Sequence, residues 1–536
     1  MTPMIPTEAE IPEAFRLGAP LHQREYLVGG ELVQWEGPVN EVVSPVSVKD
    51  SDGVVRQRVL GSTPLLTTKE SLLALEAAVK AWDLGRGAWP TLPVADRIAH
   101  VERFLKAMRD QRSPVVKLLM WEIGKPLKDA EKEFDRTVDY IVDTIAALKE
   151  ADRHATRFMH EQGIMGQVRR VPMGVALCMG PYNYPLNETF STLFPALLMG
   201  NPVVFKPAKF GVLLVQPLLQ AFKECFPPGV VNVIYGRGRE TVGALMASGK
   251  VDVLAFIGTS KGADDLKRMH PRPHRLKAVL GLDAKNIGVV MADADLDEAV
   301  RECVLGALSF NGQRCTAIKL IMVQRQLADA FVQRFTSEVE KLKAGAPWEP
   351  GVSLTALPEP GKTQYLEGLL DNAKQHGARV LNPHGGEVTG AFFRPAVVFG
   401  VTRAMRLWHE EQFGPLVPIA VFDDEQEVID AVVESPFGQQ VSLFGRDAVK
   451  LGRVIDACAH QVGRINLNCQ CQRGPDSFPF NGRKDSAEGT LSVTDALRVF
   501  SIRTVVAAKA TEANKQVVRT ILTGRHSVFL STDYLL

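Results

Sequence analysis

From Val171 onward, short apolar runs alternate with stretches of helical periodicity. Val175–Met179, Pro202–Phe205, Val230–Tyr235 and Val253–Ile257 read as buried strands. Between them Asn187–Leu198, Val212–Cys225 and Glu240–Ser248 read as helices. Strand following helix following strand requires a parallel sheet, because two parallel strands need a crossover that a tight hairpin cannot supply. A second alternating region carries strands near Ile287–Met291, Ala317–Val323 and Pro418–Phe422 and a helix over Leu327–Leu342. The fold class expected is α/β, with two α/β units in succession, and 536 residues suffice for two to four domains of about 150 residues each.

Two helices precede this region. Thr67 and Glu70 have capping-box spacing, after which Leu72, Leu75, Val79 and Trp82 recur on one helical face. A long helix from Pro126 to about Glu150 has Phe134, Val138, Ile141, Ile145 and Leu148 as its apolar stripe. The first forty residues are mixed and contain proline, with a turn at Gly29-Gly30. Val168 to Val171 reads as part of a projecting hairpin, and the stretch from about Val506 to Leu536 as one amphipathic helix with a polar tail.

Charge removes several functions. Lys plus Arg is 62 and Asp plus Glu is 61, so there is no global field to hold nucleic acid or an anionic membrane, and neither is expected as a partner. No run of about 18 apolar residues exists to span a bilayer. Met1 to Pro20 carries Glu8, Glu10, Glu13 and Arg16 and lacks the apolar core of a signal peptide, so a cytoplasmic protein is expected. The seven cysteines are irregularly spaced, which suits a reducing compartment better than a disulfide scaffold. Cys469-Gln470-Cys471 is not C-x-x-C and has no histidine tract beside it, so no metal site is expected.

A few residues stand out chemically. Cys315, in Phe310-Asn311-Gly312-Gln313-Arg314-Cys315-Thr316, follows a helix over Ala299–Leu308 and a glycine turn. Backbone N–H groups and Arg314 there would stabilise a thiolate, and a buried core thiol fits the local pattern equally well. Asn183, in Pro181-Tyr182-Asn183-Tyr184-Pro185, follows a strand and reads as a turn residue or as an oxyanion donor. Lys206 ends the next strand, where it would reach a nucleotide ribose or simply face solvent. Phe256-Ile257-Gly258-Thr259-Ser260 runs from a strand into a helix, so its N–H groups suit a phosphate. No G-x-G-x-x-G fingerprint is present, since Gly236-Arg237-Gly238-Arg239 lacks the third glycine.

Taken in order, Pro181-Tyr182-Asn183-Tyr184-Pro185, Val204-Phe205-Lys206-Pro207, Phe256-Ile257-Gly258-Thr259-Ser260, Asn311-Gly312-Gln313-Arg314-Cys315-Thr316 and Glu410-Glu411-Gln412-Phe413-Gly414-Pro415 resemble the aldehyde dehydrogenase superfamily over about Tyr26 to Val505. Gln472-Arg473-Gly474-Pro475-Asp476 and the Gln313-Arg314 before the cysteine are similar to its non-phosphorylating, NADP-dependent glyceraldehyde-3-phosphate dehydrogenase branch. The resemblance implies a Rossmann-type cofactor domain (residues 1–152 and 175–285), an α/β catalytic domain (286–483), a small oligomerisation element (153–174 and 484–505) and a C-terminal extension (506–536). A homodimer or homotetramer is implied with it.

By the same resemblance Cys315 would be the nucleophile, with Asn183 and the Cys315 N–H as oxyanion hole. Lys206 and Glu411 would hold ribose hydroxyls, Gly258 and Ser260 would lie beside the pyrophosphate, and Phe413 would pack near the nicotinamide. Lys209 stands where many NAD-dependent relatives have a glutamate; an ammonium attracts a 2′-phosphate that a carboxylate would repel, so NADP is the implied cofactor. Arg136, Arg314 and Arg473, with Tyr184, match the branch's binding site for the phosphate of a small phosphorylated aldehyde, and guanidinium forks suit that group.

The pattern breaks where the family carries Glu-Leu-Gly-Gly-Lys. This chain has Gly281-Leu282-Asp283-Ala284-Lys285, so the usual general-base glutamate is Gly281. Losing general-base assistance costs about 10² to 10⁴ in rate. Asp283 would share a strand face with position 281, or serve as a turn residue. Ala487 replaces a glycine in Lys484-Asp485-Ser486-Ala487-Glu488-Gly489. The leading expectation is oxidation of glyceraldehyde 3-phosphate to 3-phosphoglycerate through a cysteine thioacyl intermediate. Acyl transfer to coenzyme A and a degenerate, non-catalytic role are the alternatives that Gly281 raises.

Overall fold

The computed structural model describes residues 5–533. Two open sheets dominate. The first orders its eight strands Ala487–Glu488, Lys277–Gly281, Val253–Ile257, Ala176–Met179, Val203–Lys206, Val231–Val233, Glu25–Val28 and Glu31–Gln34. The strands from Lys277–Gly281 to Val231–Val233 in this order are parallel. The chain builds outward from Ala176–Met179 through Val203–Lys206 to Val231–Val233, then returns to place Val253–Ile257 on the other flank. That reversal opens a crevice beyond the carboxyl ends of Ala176–Met179 and Val253–Ile257, the place where open α/β sheets bind ligands. These strands match the sequence reading to within a residue or two because both faces are covered, which leaves nearly unbroken apolar runs.

The second sheet runs Arg379–Val380, Ala396–Phe399, Leu416–Phe422, Ile318–Gln324, Asn286–Val290, Gln440–Phe444 and Arg464–Leu467, all parallel except the first. A third sheet is antiparallel: the hairpin Phe158–Glu161 and Ile164–Pro172, extended by Ser501–Lys509. The long helix spans Leu127–Ala155 and packs on Asn187–Leu198.

Three readings change. The helix expected over Val212–Cys225 is a 3-10 segment Leu213–Leu218 followed by the α-helix Leu219–Cys225. Pro217 lies inside the 3-10 segment, and its ring cannot donate to a continuous helical ladder. The C-terminal segment is not one helix. The strand runs to Lys509, and the helix is confined to Glu512–Thr523. Val505 and Val506 are β-branched and pair with Val168 and Gln167. Finally, the N-terminal region contains paired strands Val39–Lys49 and Val55–Pro64 that the mixed composition concealed, whereas the Gly29-Gly30 turn closes a two-residue hairpin with both φ positive (63° and 88°).

Candidate active site

The carboxyl edge of the first sheet faces the amino edge of the second. Asn183 follows Ala176–Met179, Gly258 follows Val253–Ile257, and Gly281 ends its strand; Cys315 precedes Ile318–Gln324, and Phe413 precedes Leu416–Phe422. Hydrogen bonds cross this seam. Asn183 Nδ2 donates to the Gln313 carbonyl at 2.8 Å, and the Ala284 N–H to Glu411 Oε1 at 3.1 Å.

Cys315 sits partly exposed after a short 3-10 turn, Ser309–Gly312, in which Phe310 and Asn311 adopt left-handed φ of 49° and 56°. Its carbonyl is pinned by Asn286 Nδ2 and Lys319 Nζ, each at 2.8 Å. The expected stabilisation of a thiolate by Arg314 is not what the structure shows. Burial pushes the Cys315 thiol up, the nearby Glu188 carboxylate adds to this, and Lys319, Arg473 and the Gln439 side chain oppose it. Arg314 turns away and donates to the carbonyls of Leu305 and Gly306, at 3.2 and 3.0 Å.

The loop carrying Asn183 is held from beneath. Lys125 and Glu133 form an ion pair with both side chains wholly excluded from solvent. Lys125 Nζ also donates to the Asn183 carbonyl at 2.7 Å and lies 3.7 Å from the centroid of the Tyr184 ring. Glu133 Oε1 accepts from the N–H groups of Leu186 and Asn187, at 3.0 and 3.2 Å. A carboxylate from one helix thus caps the start of the next, where orphan N–H groups would otherwise be buried. An amide nitrogen has two hydrogens, so Asn183 keeps one free after bonding Gln313.

The cationic residues gather, but not as bare charges. Arg136, a solvated residue on sequence grounds alone, grips Asp476 with two N–H groups at 3.0 and 2.8 Å. Arg473 is buried against Glu188 and lies 3.4 Å from Asp476. These contacts of Arg473 are Coulombic rather than aligned, since its Nε and Nη1 make no well-directed hydrogen bond. Arg314 Nε is also buried without a partner. Tyr184 lies in the field of both Arg314 and Arg136, with its phenol pushed up by burial.

The switch-point crevice carries the other group. Lys206 Nζ has only the Pro207 carbonyl nearby, at 3.5 Å, and burial pushes its pKa down to about 8. Lys209 is exposed, 5.0 Å from the centroid of the Phe210 ring. A Cβ at Gly258 would lie 2.4 Å from the Phe256 ring, so a larger residue there would displace that ring. Glu411 is paired with Lys319 at 2.7 Å through Oε1. Phe413 meets Tyr182 edge-on at 5.9 Å. A half-buried ammonium at a switch point, with no carboxylate paired to it among the described residues, fits the ribose hydroxyls of a dinucleotide. Ser260 is the exception: its N–H and Oγ both already donate to Asp283 Oδ2, at 2.7 Å each. Asp283 therefore caps a helix rather than facing the thiol.

Lys125, Glu133, Glu188, Asn286, Lys319 and Gln439 were not legible as site residues. A lysine inside the apolar run Ile318–Gln324, four residues after Cys315, was the available signal, because buried lysines are rare without a partner.

Comparison with known proteins bears on all of this. Residues 48–506 match the pattern described as "Aldehyde dehydrogenase family". The NADP-dependent glyceraldehyde-3-phosphate dehydrogenase of Arabidopsis thaliana is 30% identical over 452 residues, covering 82% of this chain and 88% of that one. The peroxisomal aminoaldehyde dehydrogenase 2 of Pisum sativum is 29% identical over 481 residues, 88% of this chain and 92% of its own. A solved structure of NADP-dependent glyceraldehyde-3-phosphate dehydrogenase from Bacillus halodurans C-125, complexed with NADP, superposes with a TM-score of 0.82 at 30% identity, covering 92% of this chain and all of that one. With the family pattern spanning most of its length and its fold shared with these relatives, the chain belongs to the aldehyde dehydrogenase family.

Proposed function

We propose that the protein oxidises glyceraldehyde 3-phosphate, or a similar phosphorylated aldehyde, through a thioacyl intermediate on Cys315, with NADP as the oxidant. Cys315 Sγ would attack the aldehyde carbon, and the free Asn183 amide hydrogen would receive the developing oxyanion. A bound NADP supplies the hydride acceptor. Lys206 and Glu411 would hold its ribose hydroxyls, and the exposed Lys209 suits a 2′-phosphate. Asn183→Ala should lower kcat by about 10² to 10³, the usual loss of one oxyanion donor. NADPH absorbance reads this, and an unchanged kcat would remove Asn183 from the hole.

The observation that carries the phosphate is the unmet, buried Nε–H of half-buried Arg314, whose charge, with that of Arg136, reaches Tyr184. One charge-assisted hydrogen bond at about 1.5–3 kcal/mol amounts to at least about tenfold in discrimination. Glyceraldehyde 3-phosphate should therefore exceed glyceraldehyde by that factor in kcat/KM, and Arg314→Gln should erase most of it. Equal kcat/KM for the two aldehydes would sink the phosphate assignment.

Gly281 supports a second acceptor. The three atoms nearest to a Cβ at this position all belong to Ile257, at 3.4 Å or more, and without a general-base glutamate a thiol such as coenzyme A, which needs less base assistance, is the alternative acceptor. The same assay with and without coenzyme A separates the two. We also read the sheet formed by the 158–172 hairpin and Ser501–Lys509 as a subunit contact, supported by the exposed Ile502 and Val505. Seven free cysteines suit a reducing compartment.

A further inference from the structure

The helix Ser260–Met269 starts at the switch point, where its first N–H groups face the crevice. A helix start of this kind attracts a phosphate through its free N–H groups and its dipole. Here the Ser260 and Gly262 donors, and that of Gly258 just before the helix, are already engaged. The Gly258 N–H donates to the Gly281 carbonyl at 2.9 Å, the Gly262 N–H to Thr259 Oγ1 at 3.2 Å, and the N–H and Oγ of Ser260 both go to Asp283 Oδ2. The acceptor at Ser260 is a carboxylate, the one side-chain chemistry that imitates a phosphate oxygen.

Asp283 is held in this position by its own backbone. Ser486 Oγ donates to the Asp283 carbonyl at 2.8 Å, and the Leu282 N–H to the Ser486 carbonyl at 2.9 Å. Ser260 Oγ also reaches the Asp485 carbonyl at 2.9 Å. The carboxylate itself has no cation within ion-pair distance among the described residues. Its charge is felt across the crevice: burial pushes the Glu411 carboxyl up against the pull of Lys319, and Asp283 adds to the push. Two carboxylates thus act on one another across this crevice.

We propose that Asp283 is a resident anion at the pyrophosphate position, which holds the Ser260 donors until a dinucleotide displaces it and thereby sets the affinity for the cofactor. This rests on the reading of the crevice as a dinucleotide site. The side chain can vacate by rotation about its own bonds, since only its backbone is anchored by Ser486. The consequence is a weak, displaceable hold on NADP, with the loss arising at the pyrophosphate and not at the adenosine end.

The test is calorimetric binding of NADP and of adenosine 2′-phosphate, which lacks the pyrophosphate, to the full-length protein, Asp283→Asn and Asp283→Gly. NADP should bind both variants at least about tenfold more tightly, whereas adenosine 2′-phosphate should bind all three proteins alike. If NADP binds the wild type and the variants equally, or if both ligands shift together, the resident-anion role is wrong while the dinucleotide site stands. If neither ligand binds any of the three, the dinucleotide reading falls and takes this proposal with it. Asp283→Asn removes the charge that competes with the pyrophosphate but keeps a weaker, neutral acceptor for Ser260, so it guards against a variant that merely fails to fold.

Discussion

Gly281→Glu should raise steady-state formation of free acid by about 10² to 10⁴, the usual worth of a placed general base. The backbone accepts a Cβ at this position. Gly281 ends a strand, paired in parallel with Ile257 and antiparallel with Ala487, and its φ is not in the left-handed region. A Cβ there would lie 3.4 and 3.5 Å from the Ile257 methyl and methylene carbons, which is ordinary contact. Acylation does not use this position, so the rapid first turnover should be unaltered. Stopped-flow absorbance at the NADPH band separates the two phases. A variant whose slow phase stays at the wild-type rate would show that deacylation in this chain depends on another group, and Glu188, in the field of the Cys315 thiol, would be the first to examine.

Breaking the Lys125–Glu133 pair should be the most damaging change away from the thiol. Both side chains are fully buried, and removing one partner strands a charge in a medium that cannot solvate it, at about 3–5 kcal/mol. Lys125→Met leaves the Glu133 carboxylate facing only the Leu186 and Asn187 N–H groups. It also releases the Asn183 carbonyl, so the loop aiming the Asn183 amide loses an anchor. The denaturant midpoint should fall sharply. Lys125→Met with Glu133→Gln should recover much of the stability but not the kcat, because neutral partners remove the stranded charge without restoring the anchor. If Lys125→Met unfolds at the wild-type midpoint, the pair is not a determinant of stability.

The sequence revealed what local pattern encodes. Strands covered on both faces are nearly continuous apolar runs, so Ala176–Met179 and Val253–Ile257 were placed closely, and with them the crevice. Cys315 and Asn183 stand out in the sequence because each lies at the end of such an element. Long-range pairing left no trace. Glu188 and Arg473 are ordinary polar residues until the fold presses one against the other, and Asp283 looks like a turn residue until Ser260 is brought beside it. Three arginines in sequence suggested three free cations; the fold supplies Asp476 and Glu188 as counter-charges, and two arginines are already partnered. Ser501–Lys509 was misread in part because an exposed edge strand lacks the apolar alternation that burial imposes.

That strand has a kinetic meaning. Ser501–Lys509 pairs along its whole length with Ile164–Pro172, more than three hundred residues earlier in the chain. Everything between, including all of the second sheet, lies inside the loop that this pairing closes. Closing so long a loop has an entropic cost that grows only slowly with length, but it cannot begin until residues 501–509 exist. A growing chain therefore carries the Phe158–Glu161 and Ile164–Pro172 ribbon as an open-edged, two-stranded piece until residues 501–509 have been made. The sheet is sealed only then, by a pairing that joins segments more than three hundred residues apart.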